Sequence, residues 1–171
     1  MSDIARLTVI GSGTMGHGIG QLAAMRGIEV SVYDVDEAAL ERARKSVETS
    51  LGRFVKKESI SEEESQAILG RMWFRSDLDE ALSGSEVVIE AVPEILELKQ
   101  RVFTDVDART APDVLLATNT SQLSITAIAS ATANPQRVVG MHFFNPPVIM
   151  RLVEIIRGTV TTDEMLQRTI A

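Results

Sequence analysis

The sequence predicts an α/β fold: a doubly wound, mostly parallel sheet with helices on both faces. Three observations carry this expectation. Short β-rich runs alternate with longer stretches of helical period along the whole chain, as in βαβ units. A glycine-rich turn directly follows the first run and opens a helix. The last two runs flank Asn145-Pro146-Pro147, so they would pair antiparallel across a loop.

The strands are expected at residues 7–10, 29–33, 72–75, 87–89, 114–117, 138–143 and 152–156. Between the first two lies a helix over about 15–26, where Ile19, Leu22 and Ala23 recur at helical spacing. Asp36 is placed to cap a longer helix, along which Leu40, Ala43, Val47, Leu51, Phe54 and Val55 keep the 3.6-residue period. Ser61 and Glu64 fit a capping box for a shorter helix that Gly70 closes. These two helices make a long helical excursion between the second and third strands. Leu98, Val102, Phe103 and Val106 mark another helix, ended before Pro112, and a further amphipathic segment starts at Asp163.

A chain of 171 residues, 44% of them apolar, forms one ordinary domain that buries roughly two thirds of its unfolded surface. Against 24 Asp and Glu stand 17 Lys and Arg. The net charge of −7 argues against nucleic acid or an anionic membrane surface as a partner. The absence of cysteine excludes disulfides, thiolate metal sites and cysteine nucleophiles, and no metal is expected. With no long apolar run near the N-terminus or elsewhere, a soluble cytoplasmic protein is expected.

The turn after the first strand reads Gly11-Ser12-Gly13-Thr14-Met15-Gly16, a G-x-G-x-x-G. Its first glycine allows the tight turn, the second lets a diphosphate approach the backbone, and the third lets helix and strand pack closely. The N–H groups at the helix start then face the phosphates. Asp34 ends the second strand about 20 residues on, where a carboxylate accepts hydrogen bonds from an adenosine ribose. The same residues are compatible with a tight turn that holds no ligand. In this context they point to a Rossmann-type dinucleotide fold, and Asp34, followed by Asp36 and Glu37 with no arginine beside it, favours NAD over NADP. Gly18 and Gly20, inside the helix, each cost about 1 kcal/mol of helix stability, so close backbone packing is expected there.

If the last two strands pair antiparallel, residues equidistant from Val148 face each other, and His142 and Glu154 are such a pair. Cross-strand neighbours stand about 5 Å apart at Cβ, so the carboxylate can hold the imidazole in one tautomer and stabilise its protonated form. That suits a general base acting on an alcohol while hydride leaves the same carbon. A structural hydrogen bond between two strand residues explains the spacing equally well. Glu154, between Val153 and Ile155, would be costly to bury without a partner. Thr118-Asn119-Thr120-Ser121 follows the fifth strand at the edge where such sheets bind ligands. Ser121 and Asn145 are placed to bond a substrate oxygen, although each is also an ordinary cap or turn residue. His17, the other histidine, is expected to pack or cap near the phosphates.

These motifs occur together and in order: the glycine loop with Met15, Ile89-Glu90-Ala91-Val92-Pro93-Glu94, Asn119-Thr120-Ser121, His142-Phe143-Phe144-Asn145-Pro146 and Leu152-Val153-Glu154. From about Leu7 onward the chain resembles the NAD-binding domain of the L-3-hydroxyacyl-coenzyme A dehydrogenases, including the bacterial 3-hydroxybutyryl-coenzyme A enzymes. The resemblance implies NAD-dependent oxidation of a (3S)-3-hydroxyacyl-CoA to the 3-ketoacyl form, in fatty acid β-oxidation or butanoate metabolism. It makes His142 the base and Glu154 its orienting partner, and sets Ser121 and Asn145 at the substrate oxygens and the nicotinamide. To the cofactor it assigns Gly11, Gly13, Thr14, Met15, Gly16, Asp34, Val92, Glu94 and Lys99. To coenzyme A it assigns Ser50 and Lys57, which at i and i+7 share a helix face, a face that solvent alone would also explain.

Family members carry a second, helical domain that supplies dimer contacts and much of the acyl pocket. The expectation is therefore a truncated or excised NAD-binding domain over 1–171, binding NAD with little turnover and open to self-association, from a family of homodimers. A dehydrogenase of a free small hydroxy acid and a non-catalytic nucleotide-binding module are the other readings.

Overall fold

The computed structural model describes residues 4–170. Its strands are β1 (Arg6–Ile10), β2 (Glu29–Tyr33), β3 (Met72–Arg75), β4 (Val87–Glu90), β5 (Leu115–Thr118), β6 (Val138–Phe143) and β7 (Val153–Arg157). They form one sheet in the order β3-β2-β1-β4-β5-β6-β7, parallel throughout except for β6 against β7. The helices are α1 (Thr14–Met25), α2 (Glu37–Lys56), α3 (Glu62–Leu69), α4 (Leu78–Leu82), α5 (Leu96–Arg109), α6 (Ile125–Ala129) and α7 (Asp163–Ile170). The Rossmann-type architecture, the helical excursion of α2 and α3, and the antiparallel last strand are those the sequence predicts.

Adjacent strand residues point to opposite faces, so an inner parallel strand must be apolar on both. Val9 and Ile10 fall into different core clusters, as do Ile89 and Val88, Ala117 and Leu116, and Val139 and Val138. Ile19 of α1, Leu51 of α2, Ile68 of α3 and Met165 of α7 cover one face. Leu82 of α4, Phe103 of α5 and Ile128 of α6 cover the other.

Local chemistry sets the helix starts. The Asp36 carboxylate accepts from the Ala38 N–H at 2.9 Å, and Ser61 and Glu64 close the capping box in both directions. The short helices α4 and α6 escape a reading based on period because five residues are too few to repeat an apolar face. Their caps are visible all the same: Asp77 accepts from the Glu80 N–H, and Ser124 from the Ala127 N–H. Several strand ends differ by one residue: β1 begins at Arg6, β4 runs on to Glu90, and β5 and β7 each begin and end one residue later, with Leu152 exposed before β7.

The sequence reading also passed over Arg137, which is fully buried. Its guanidinium donates to the Asp107 carboxylate, to the Asp107 carbonyl and to the carbonyls of Ala111 and Val114, so it ties the end of α5 to the entry into β5. Burial pushes the Asp107 carboxyl up, but the hydrogen bonds from Arg137 and the Ala133 N–H outweigh it and hold it below its ordinary value of 3.8. A carboxylate depressed in the folded state stabilises the fold above its unfolded pKa. That contribution is lost as pH falls below about 3.8 through the lower folded value. Asp107→Asn leaves Arg137 buried and unpaired, and urea denaturation at neutral pH is expected to show a loss of about 3 kcal/mol. The difference from the parent narrows below that pH; a variant within about 0.5 kcal/mol of the parent at neutral pH would refute this role.

Candidate active site

The sheet reverses its winding between β1 and β4, so the loops leaving their carboxyl ends diverge and open a crevice of about 640 Å³. Gly11 turns at φ +96°, and a Cβ there would stand 2.9 Å from the Ala91 carbonyl oxygen across the crevice. Gly16 packs more tightly, since its Cβ would overlap the Gly11 carbonyl. Gly13 differs: its φ is −59°, and a Cβ would meet nothing within 4 Å. The fold needs glycine at 11 and 16, whereas at 13 it leaves open space where a side chain would stand. No side chain caps the start of α1 at Gly13, so the N–H groups of its first turn are free for an anion. Asp34 accepts from the Ser12 N–H at 2.9 Å and the Ser12 hydroxyl at 2.8 Å, holding the loop while lining the crevice. The exposed Val35 beside it offers an apolar surface for a purine. These residues fit a dinucleotide.

Gly18 and Gly20 give way to side chains, contrary to the expected backbone packing. A Cβ on Gly18 would stand 3.0 Å from Pro147, and one on Gly20 3.1 Å from Val32. Gly18 thereby admits the loop between β6 and β7, which contains the cis Asn145–Pro146 bond, against α1.

Met15, Ala91 and Val92 line the crevice and also a neighbouring cavity of about 380 Å³, bordered by Glu94, Ser121, His142 and Asn145. The register pairs His142 with Glu154 across the β6–β7 ladder, and His142 Nδ1 lies 2.8 Å from Glu154 Oε2. An ionised carboxylate only accepts, so Nδ1 carries the proton. Nε2 is left with a lone pair and no protein partner among the described residues. The Phe144 ring, with its centroid 4.6 Å away, packs on the imidazole. Glu154 is not buried as the sequence argument supposed: its side chain is 54% exposed, because β7 is an edge strand.

Glu94 accepts from the Ser121 N–H at 3.0 Å and from the Thr120 hydroxyl. Burial pushes its carboxyl up, but the Thr120 hydroxyl and Lys99 more than compensate and leave it below its ordinary range. Lys99 is 1% exposed, donates to Glu90 and to the Val92 carbonyl, pairs with Glu94, and lines the same cavity as Ser121 and His142. The Asn119 amide oxygen, which the sequence reading passed over, accepts from the Phe143 N–H at 2.8 Å and ties the loop after β5 to the strand that carries His142.

A third cavity, of about 370 Å³, lies between α1, α2 and the β6–β7 loop. Ser50 lines it with Lys45, Arg53, His17 and Asn145. Lys57, the exposed C-cap of α2, does not line it, although its N–H still bonds the Arg53 carbonyl. His17 donates from Nδ1 to the Gly13 carbonyl at 2.8 Å, a local brace of the loop.

Residues 6–171 match the family described as 3-hydroxyacyl-CoA dehydrogenase, NAD binding domain. A 3-hydroxybutyryl-CoA dehydrogenase of Mycobacterium tuberculosis is 42% identical over 99% of this chain, which spans 59% of that protein. A 3-hydroxyadipyl-CoA dehydrogenase of Escherichia coli is 40% identical over 98% of this chain, which spans 35% of it. The crystal structure of (S)-3-hydroxybutyryl-CoA dehydrogenase from Ralstonia eutropha superposes with a TM-score of 0.94 at 36% identity, covering 98% of this chain and 59% of that one.

The contrast among the glycines sets a test. Gly13→Ala is expected to keep the thermal midpoint within about 3 °C of the parent and to weaken NADH binding, followed by fluorescence titration, by about tenfold or more. Unaltered affinity would show that no phosphate approaches this loop.

Proposed function

Since the chain belongs to the 3-hydroxyacyl-CoA dehydrogenase family through its NAD-binding domain, we propose that it carries the cofactor site and proton-transfer groups for NAD-dependent oxidation of (3S)-3-hydroxyacyl-CoA to 3-ketoacyl-CoA. Fatty acid or butanoate metabolism is the setting. The observation that carries this reading is the His142–Glu154 hydrogen bond, which leaves Nε2 free beside Ser121 and Asn145.

His142 Nε2 takes the proton of the substrate hydroxyl, and the Glu154 carboxylate steadies the imidazolium that forms. In the opposite direction the imidazolium returns the proton to the ketone oxygen. Ser121 and Asn145 hold that oxygen from two sides. The Gly11–Gly16 loop and the start of α1 bind the diphosphate, Asp34 the adenosine ribose, and Met15, Val92 and Glu94 line the nicotinamide end. NAD, when bound, accepts hydride from the carbon that loses its hydroxyl proton. Lys45 and Arg53, near Ser50, support a coenzyme A phosphate in the third cavity, a placement that leaves Lys57 in solvent.

A homodimer and a cytoplasmic location belong to the same proposal. Among the described residues no helix is long and apolar enough to cross a membrane. Sedimentation of the longest available form tests the dimer.

In a form of the protein that reduces acetoacetyl-CoA with NADH, His142→Gln is expected to lower kcat by about 10² or more. Glu154→Gln keeps an acceptor but loses the charge, so a smaller loss of roughly tenfold is expected. Near-normal kcat in His142→Gln removes it from the chemistry. Equal activity on free acetoacetate would remove the coenzyme A assignment.

A further inference from the structure

The chain holds 24 acidic residues against 17 basic ones, yet no carboxylate lines the third cavity, between α1, α2 and the β6–β7 loop. Helix α2 sends Lys45 and Arg53 to it, with three hydroxyl side chains beside them. Glu41, 3.3 Å from the Lys45 ammonium, is not among the lining residues. Residues 145–148 of the β6–β7 loop carry no charge, and on α1 the only ionisable lining residue is His17. A pocket free of acids in an acidic protein selects anions.

His17 is also the only lining residue whose charge changes between about pH 5 and 8. Its Nδ1 lies 2.8 Å from the Gly13 carbonyl oxygen, and a carbonyl only accepts, so Nδ1 keeps its proton in both charge states. Gain and loss of charge therefore fall on Nε2, which has no protein partner among the described residues. Neutral, Nε2 presents a lone pair and has nothing to offer an anion. Protonated, it is a third cationic donor beside Lys45 and Arg53, on a ring already held in place through Nδ1.

We propose that His17 is a substrate-binding residue, whose Nε2 donates as the imidazolium to a phosphate of the coenzyme A moiety in the third cavity, so that binding takes up a proton. This rests on the reading of the cavity as the coenzyme A site, and adds to it a residue that makes substrate affinity depend on pH. Thr14 lines both this cavity and the dinucleotide crevice, so two ligands bring phosphate esters into the neighbourhood. Coenzyme A is favoured because Lys45 and Arg53 line the third cavity and not the crevice. An anion beside Nε2 favours the charged imidazole, so affinity is greatest at low pH and falls as pH rises through the titration of the bound state. The phosphomonoester of coenzyme A itself titrates near about pH 6 and pulls the other way, but equally in every variant. The affinity ratio between variants therefore isolates His17.

Calorimetric titration of the whole chain with coenzyme A at pH 6 and pH 8, at constant ionic strength, tests this. His17 is partly exposed and lies outside both core clusters, so its replacement removes no core packing. The parent is expected to bind about tenfold more tightly than His17→Gln at pH 6 and about equally at pH 8. His17→Lys, charged at both, is expected to keep the tighter affinity at pH 8. With NADH as the probe, the parent-to-Gln ratio is expected to be the same at both pH values, since loss of the Nδ1 brace acts on the loop whatever the pH. A ratio for coenzyme A that does not change with pH overturns the proposal, and so does a pH-dependent ratio that appears with NADH instead. Arg53→Ala distinguishes this from failure of the underlying reading. Coenzyme A affinity that is lost in Arg53→Ala but indifferent to His17 keeps the coenzyme A site and removes His17 from it, whereas a parent that binds no coenzyme A at either pH removes both.

Discussion

Two backbone turns meet where the winding of the sheet reverses, and the crevice takes its shape from the absence of a side chain on one of them. Gly11 lies so close to the Ala91 carbonyl that a methyl group would force the β1 and β4 loops apart. Those loops carry, on one side, the N–H groups of α1 and, on the other, Val92 and Glu94. A shift of the β4 loop would also disturb Glu90, whose carboxylate accepts from the Val92 N–H. The spacing between two main chains thus sets the spacing between the parts of the site, and parallel hydrogen bonding of β1 to β4 holds it in register.

Around that contact the molecule divides into an apolar scaffold and a polar edge. Strands buried on both faces leave no room for charge in their middles, so ionisable groups gather where strands end. Two buried pairs stand there: Glu90 with Lys99 at the carboxyl edge, and Asp107 with Arg137 at the end of α5. The reacting pair differs in kind. His142 and Glu154 lie on the last ladder of the sheet, where the edge strand β7 keeps one partner in water. Exposed Ile149, Met150 and Leu152 lie in the loop leading into that strand.

Much of the site was legible because its chemistry is local. The glycine loop and Asp34 are read from spacing, since a turn between strand and helix has few solutions that admit a phosphate. The pairing of His142 with Glu154 was legible because an antiparallel pair about a known loop has one register, which the ladder keeps. Lys57 is the C-cap of α2, its N–H still bonded to the Arg53 carbonyl, so the spacing of seven from Ser50 keeps its helical meaning to the end of the helix. Glu90 carried a signal in its position, a charge closing the apolar run Val87-Val88-Ile89, but nothing local to it named its partner.

From the sequence alone came the α/β class, the caps of α2 and α3, the dinucleotide loop and the cross-strand pair, because hydrophobic period, turn chemistry and hydrogen bonding over a few residues decide them. Only the tertiary structure decided the strand order that opens the crevice between β1 and β4, the exposure of Glu154, and the meeting of Glu90, Lys99, Glu94 and Ser121. Those depend on which segments distant in the chain are brought together. Packing both faces of one sheet settles that globally, and no short stretch of sequence contains it.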